Sequence, residues 1–122
     1  MTNVRAEFER CTPWIEEALK YGGGTHLAED IWDEIVSGKL QFWPAERGCF
    51  VTEVEIYPRK RVLHIALAGG EMDQLMSMVD SLEEFAKAVD CQSITIYGRK
   101  GWSRVLRGRD VRPLYMVMAK EL

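Results

Sequence analysis

The sequence predicts an α/β (α+β) fold, a mixed and mostly antiparallel central sheet flanked by helices, in the order β-α-α-β-β-β-α-β-α-β. Three observations lead there. Two helix-start signals precede residue 37, three β-like runs with short turns fall in residues 40–68, and a long apolar stripe of helical period then leads to another β-branched run. The 122 residues, 47% apolar and 29% charged, suit one domain over 1–122, because two would each be too small to close a core.

Residues 4–9 alternate apolar and charged side chains, the period of a half-buried strand. Thr12 and Pro13 then offer an N-cap hydroxyl and a first-turn proline, with Glu16 and Glu17 where a helix dipole favours negative charge, so a short helix is expected over 13–20. Thr25 can cap a second helix in which Leu27, Ala28, Ile31, Trp32, Ile35 and Val36 make an apolar stripe that stops at Gly38. Residues 40–43 and 49–57 read as strands joined by a turn over 44–48. Residues 58–60 make the next turn and 61–68 the third strand.

A tight turn centred on residues 59 and 60 would pair positions whose numbers sum to 119. Tyr57 then faces Val62, and Glu55 faces His64. Thr52, Val54, Ile56, Leu63, Ile65 and Leu67 share one apolar face, while Glu53, Glu55 and His64 lie on the other. Met72, Leu75, Met76, Val79, Leu82, Ala86 and Val89 have helical spacing. Residues 93–97 form a strand, 102–106 a helical turn or two, and 114–119 a final strand.

Composition excludes several classes. No apolar run approaches the roughly 20 residues of a bilayer span, and the charged start lacks a secretory leader, so a soluble protein in a cytoplasm is expected. Cys11, Cys49 and Cys91 are odd in number, far apart and without a nearby histidine at ligand spacing, which argues against a metal site or a disulfide framework. His26 reads as a surface residue. The net charge of −3 conceals a basic stretch: Arg99, Lys100, Arg104, Arg107, Arg109 and Arg112 against Asp110 give +5, leaving −8 for the remainder. This stretch is the candidate site for an anion or an acidic partner. Specific nucleic-acid binding is not expected, because the acidic remainder repels phosphates outside the patch.

Two helices, an antiparallel meander and a helix crossing to a further strand, with Ala68-Gly69-Gly70 before the 72–89 helix, resemble the Gcn5-related N-acetyltransferase (GNAT) fold over nearly the whole chain. Small proteins of tailed bacteriophages and prophages are also similar. They share a Gly-Thr after the first helix, a Trp after the second, a central Ala-Gly-Gly and a late Gly-Arg-x-Gly-Trp, here Gly24-Thr25, Trp43, Ala68-Gly69-Gly70 and Gly98-Arg99-Lys100-Gly101-Trp102. That likeness implies a phage or prophage origin, and a location in the bacterial host cytoplasm or with the virion.

The GNAT resemblance implies a cleft beside the central strand for the pantetheine arm of acetyl-CoA, with its diphosphate on backbone N–H groups at the next helix N-terminus. The family writes that turn Q/R-x-x-G-x-G/A, since side chains would block the phosphates. Here Ala68-Gly69-Gly70-Glu71-Met72-Asp73 keeps two glycines but loses the spacing and the leading residue, and puts Glu71 and Asp73 where phosphates would lie. At about 4 Å each like-charge pair costs on the order of 4 kcal/mol at an effective dielectric near 20.

Two functions follow as expectations. The first is a protein without a conventional acetyl-CoA site and with no cofactor, which binds a protein partner, of the virion or the host, through Arg99, Lys100, Trp102, Arg104, Arg107 and Arg109. The alternative is an acetyl-CoA-dependent N-acyltransferase. Ala68, Gly69, Gly70, Arg99, Lys100 and Arg104 would then hold the cofactor, a Glu55–His64 pair would serve as base, and Tyr97 or Tyr115 as acid.

Overall fold

A single four-stranded sheet in the order β1-β2-β3-β4 carries helices on both faces in the computed structural model, which describes residues 3–122 except Arg99 and the Lys100 side chain. The elements are α1 (Val4–Leu19), α2 (Ala28–Val36), β1 (Leu40–Ala45), β2 (Gly48–Tyr57), β3 (Lys60–Gly70), α3 (Met72–Ala88), β4 (Ser93–Ile96) and α4 (Lys100–Val105), followed by a 3-10 turn over Arg107–Arg109. β1, β2 and β3 are antiparallel neighbours, and α3 crosses over so that β4 runs parallel to β3.

The expected strand at residues 4–9 does not form, and the expected helix at 13–20 is the second half of a longer one. Asn3 caps α1 by accepting from the Ala6 amide, and Phe8, Cys11 and Ile15 recur at helical spacing as the buried stripe. Alternation over six residues could not outweigh a stripe that continues for two more turns. Pro13 lies inside α1 with its ring exposed, and the Thr12 hydroxyl donates back to the Phe8 carbonyl instead of capping a helix. In α2 the N-cap is Leu27 rather than Thr25, whose hydroxyl pairs with His26 Nδ1, and Asp30 accepts from the Leu27 amide.

Both hairpin turns are tighter than expected. Glu46-Arg47 alone joins β1 to β2, and Pro44 stays in β1, an edge strand where its missing N–H is tolerated. Pro58-Arg59 joins β2 to β3, which moves the register by two residues: Tyr57 pairs with Lys60, Glu55 with Val62 and Glu53 with His64. A shift of two preserves the faces, so Thr52, Val54, Leu63 and Ile65 still share a side. An irregularity between Val51 and Thr52 then sends Leu67 opposite Val51, onto the α1 side.

Two cores result. Phe8, Cys11, Ile15, Ile31, Leu40, Cys49 and Val51 pack under α1 and α2, and Phe50, Ile65, Leu75 and Leu82 under α3. Trp43 stacks edge-on against Phe85 and donates to the buried Thr52 hydroxyl, which donates to Gln41, so one polar chain fixes the β1–β2 register inside an apolar layer. Arg5 ties α1 to α2 through Glu29 and the Trp32 ring. The expected strand at 114–119 does not form: residues 107–122 are exposed and 110–122 pair with no strand. None of the described helices is long and apolar enough to cross a membrane, and no described group of His, Cys, Asp and Glu could hold a metal.

Cys11 and Cys49 are buried side by side, and burial raises both thiol pKa values, whereas Cys91 is half-buried. Under native conditions a thiol reagent is therefore expected to label Cys91 first and the other two only on unfolding. Prompt labelling of all three would contradict this core.

Candidate functional site

β3 and β4 are laddered only from Val62–Ser93 to Ile65–Ile96, and beyond these residues the two strands part. The opening is a small cleft of about 60 Å³ between Ala66-Leu67-Ala68 of β3, Tyr97-Gly98 after β4, Ala18 and Tyr21 of the α1 end, and Trp102 of α4. Ala68 and Tyr97 thus stand where the resemblance placed a cofactor cleft. Trp102 is half-buried against the α3-side core, and the approach is so close that a Cβ on Gly98 would lie 2.8 Å from its ring. It seals α4 to the sheet rather than standing out as an anchor.

At the head of α3 the glycine turn is closed by protein. A Cβ on Gly69 would sit 2.7 Å from the Trp14 carbonyl oxygen, and one on Gly70 would sit 2.3 Å from Gly48 Cα. Gly70 also has φ +118°. These glycines let α1 and the β1–β2 hairpin approach the turn. The Glu71 amide donates to the Arg47 carbonyl at 2.8 Å. Arg47 in turn lays its guanidinium across both acidic side chains, donating to Glu71 and to the two Asp73 carboxylate oxygens at 2.8 and 3.0 Å. Bonding to Arg47 holds the Asp73 carboxyl below its usual range, with help from the Asp73 and Gln74 amides. The Glu71 amide is thus engaged by the Arg47 carbonyl, and the Asp73 carboxylate sits at the first turn of α3.

A diphosphate at this turn would meet Glu71 and Asp73 with Arg47 laid across them. Arg47 was not legible as a site residue, although the signal was there: following β2 past the irregularity pairs Gly48 with Gly70, which brings Arg47 to Glu71.

The proposed base pair is not assembled as expected. Glu55 faces Val62, and His64 Nδ1 pairs with the Thr95 hydroxyl at 2.9 Å while its ring packs on Tyr97 at 4.1 Å. His64 is 5% exposed, and burial lowers its pKa despite the nearby carboxylates of Glu55 and Glu53. Tyr115 donates to the Tyr97 hydroxyl at 3.4 Å, and that contact leads the causes that push the Tyr97 phenol up to about 12, so it keeps its proton at neutral pH. Arg104 and Arg107 are exposed, and Arg109 reaches Asp80 on α3 at 3.2 Å. Arg99 and the Lys100 side chain lie outside the described residues.

A pH prediction follows from His64. Its folded pKa lies below the unfolded value near 6.5, so the unfolded chain binds the proton more readily. The stability from keeping the ring neutral is complete above that value and is lost as pH falls toward the folded pKa. Denaturant midpoints are expected to drop between about pH 7 and 5, and less steeply in His64→Gln. An equal drop in both proteins would remove His64 as the cause.

No protein-family model matches the chain, and no curated protein matches it. Solved structures do. A probable acetyltransferase superposes with TM-score 0.68 at 10% identity, over 96% of this chain and 91% of that one. An acetyltransferase of Trypanosoma brucei gives 0.66 at 12% identity over 93% and 94%. A GNAT family acetyltransferase of Staphylococcus aureus gives 0.63 at 12% identity over 100% and 95%. The chain therefore has the GNAT fold. At such identities the likeness is one of fold.

Proposed function

We propose that this GNAT-fold chain acts as a binding or structural protein and does not seat an acetyl-CoA diphosphate at the head of α3. The observation that carries this reading is the Arg47 clamp on Glu71 and Asp73 above a glycine turn already filled by Trp14 and Gly48. The partner surface is the exposed basic one around Arg104 and Arg107, which suits an acidic protein face. The Gly24-Thr25, Trp43, Ala68-Gly69-Gly70 and Gly98-to-Trp102 pattern favours a phage or prophage protein that meets a virion or host protein. A tagged chain in its own host is expected to co-purify with such a partner, to release it as salt rises, and to lose it in the double variant Arg104→Glu with Arg107→Glu. Unchanged retention in that variant rejects the surface.

A second reading, an N-acyltransferase, is favoured by the parting of β3 and β4. A pantetheine-like arm would enter between Ala66-Leu67-Ala68 and Tyr97-Gly98 by widening this small cleft, with the Tyr97 phenol as a proton donor at its wall. Arg99, Lys100 and Arg104 would then have to meet the phosphates. Release of free CoA with an amine, lost in Tyr97→Phe, is its test. Turnover unaffected by Tyr97→Phe, His64→Ala and Glu55→Gln would take these residues out of the reaction.

A further inference from the structure

We propose that the sheet face bearing Glu53, Glu55, Tyr57, Tyr97 and Tyr115 receives the guanidinium of an arginine side chain from a partner protein. The strands bring these groups together. Glu53, Glu55 and Tyr57 alternate along β2 and so share one side, where Glu53 stands across from His64 and His64 stands across from Thr95 of β4. Tyr97, two residues beyond Thr95, lays its ring on His64 at 4.1 Å, and the Tyr115 hydroxyl meets the Tyr97 hydroxyl at 3.4 Å. Glu55 is close enough to act on three of these neighbours. After burial it is the chief cause that raises the Tyr57 phenol, it adds to the rise that Tyr115 leads at Tyr97, and it opposes the burial that lowers His64.

No basic side chain of the described chain pairs with this face. Glu53 and Glu55 are half-buried, and no ion pair reaches either among the described residues. The rings of Tyr57, Tyr97 and Tyr115 stand 50%, 62% and 67% exposed. Aromatic faces beside carboxylates attract a cation through the ring quadrupole and the carboxylate charge together. The chain holds its own arginines with the same parts. Arg5 lies 5.0 Å over the Trp32 ring while donating to Glu29 at 2.7 Å and to Glu9 at 3.0 Å, and Arg10 lies 5.9 Å over Trp14 while donating to Glu7 at 2.9 Å. On the Tyr57 and Tyr97 face those parts recur with no described arginine across them. A guanidinium suits them better than an ammonium. It is planar and weakly hydrated, so it stacks on a half-exposed ring while its fork meets a carboxylate, whereas a lysine head group is compact and strongly hydrated. This surface is opposite in sign to the one around Arg104 and Arg107 and uses other side chains, so either proposal can fail alone.

The test titrates the intact protein with Nα-acetylarginine methylamide, whose side chain carries its only charge, and follows the backbone amide resonances. Saturable shifts in the millimolar range are expected at residues 53–57, 64 and 97. The matching blocked citrulline, similar in shape and uncharged, should not saturate, and the blocked lysine should bind about fivefold more weakly. Glu55→Gln is expected to weaken arginine binding about fivefold and to leave the circular dichroism spectrum unchanged, with Tyr57→Leu as a second variant that keeps apolar bulk and removes a ring. Absence of saturation, an equal response to citrulline, lysine bound as tightly as arginine, or full affinity in both variants overturns the proposal. So do shifts confined to the acidic residues of α2. Shifts at 53–57 that grow with protein concentration alone would seat a second copy there and overturn the assignment to a partner protein.

Discussion

Gly70→Ala is expected to lower the stability of this protein by roughly 3 kcal/mol or more, from backbone strain and overpacking together. The added Cβ would meet Gly48 Cα at 2.3 Å and the Arg47 carbonyl at 2.4 Å, both backbone atoms that cannot swing aside. At this chain length such a loss lowers Tm by about 10 °C. Gly69→Ala presses on the Trp14 backbone and should act in the same direction, whereas Gly101→Ala, with nothing within 4 Å, should be neutral or slightly stabilising. The contrast separates two uses of a glycine turn. Gly69, which has no left-handed φ, separates them most cleanly: kept only to admit a phosphate, it would tolerate a methyl in the absence of ligand. Thermal melts that leave both Gly69→Ala and Gly70→Ala within about 0.5 kcal/mol of the parent would mean that the turn is open and unpacked.

Phe8→Ala should destabilise by about 3–5 kcal/mol, the range for removing a buried aromatic ring. Phe8 is 1% exposed and its ring meets Trp32 at 5.2 Å and Phe42 at 5.7 Å, so it joins α1, α2 and β1 in one contact. A half-buried edge strand over residues 4–9 would lose far less. Denaturant midpoints of Phe8→Ala beside Val4→Ala, whose side chain is half exposed, decide between them, because the helix predicts a large and a small effect.

α3 was legible because seven apolar residues keep one period across its length, and α2 because its stripe and acidic face alternate cleanly. Residues 4–9 misled because Val4, Ala6 and Phe8 satisfy a period of two over a window too short to show Phe8, Cys11 and Ile15 at a helical one. The hairpin register slipped by two because the turn is centred on Pro58-Arg59 rather than on Arg59-Lys60, and that slip alone paired Glu55 with His64 in place of Glu53. Residues 114–119 have a strand's composition, but a strand exists only where an edge receives it. The acidic character of the turn after Gly70 was legible from Glu71 and Asp73. Its partner Arg47 was not, because the contact depends on the pairing of Gly48 with Gly70 beyond the β2–β3 irregularity, which brings Arg47 to Glu71 across a sequence separation of 24.

Titration calorimetry of the intact protein with acetyl-CoA, followed in parallel by the backbone amide resonances of Gly69 to Gln74, tests the filled cradle most directly. The clamp predicts no saturable heat and a Kd weaker than about 1 mM, with those six amides unmoved. Micromolar binding accompanied by large shifts at Glu71, Asp73 and Gln74 would show that a diphosphate displaces Arg47 and Asp73, and would return the protein to the acetyl-CoA-binding members of its fold.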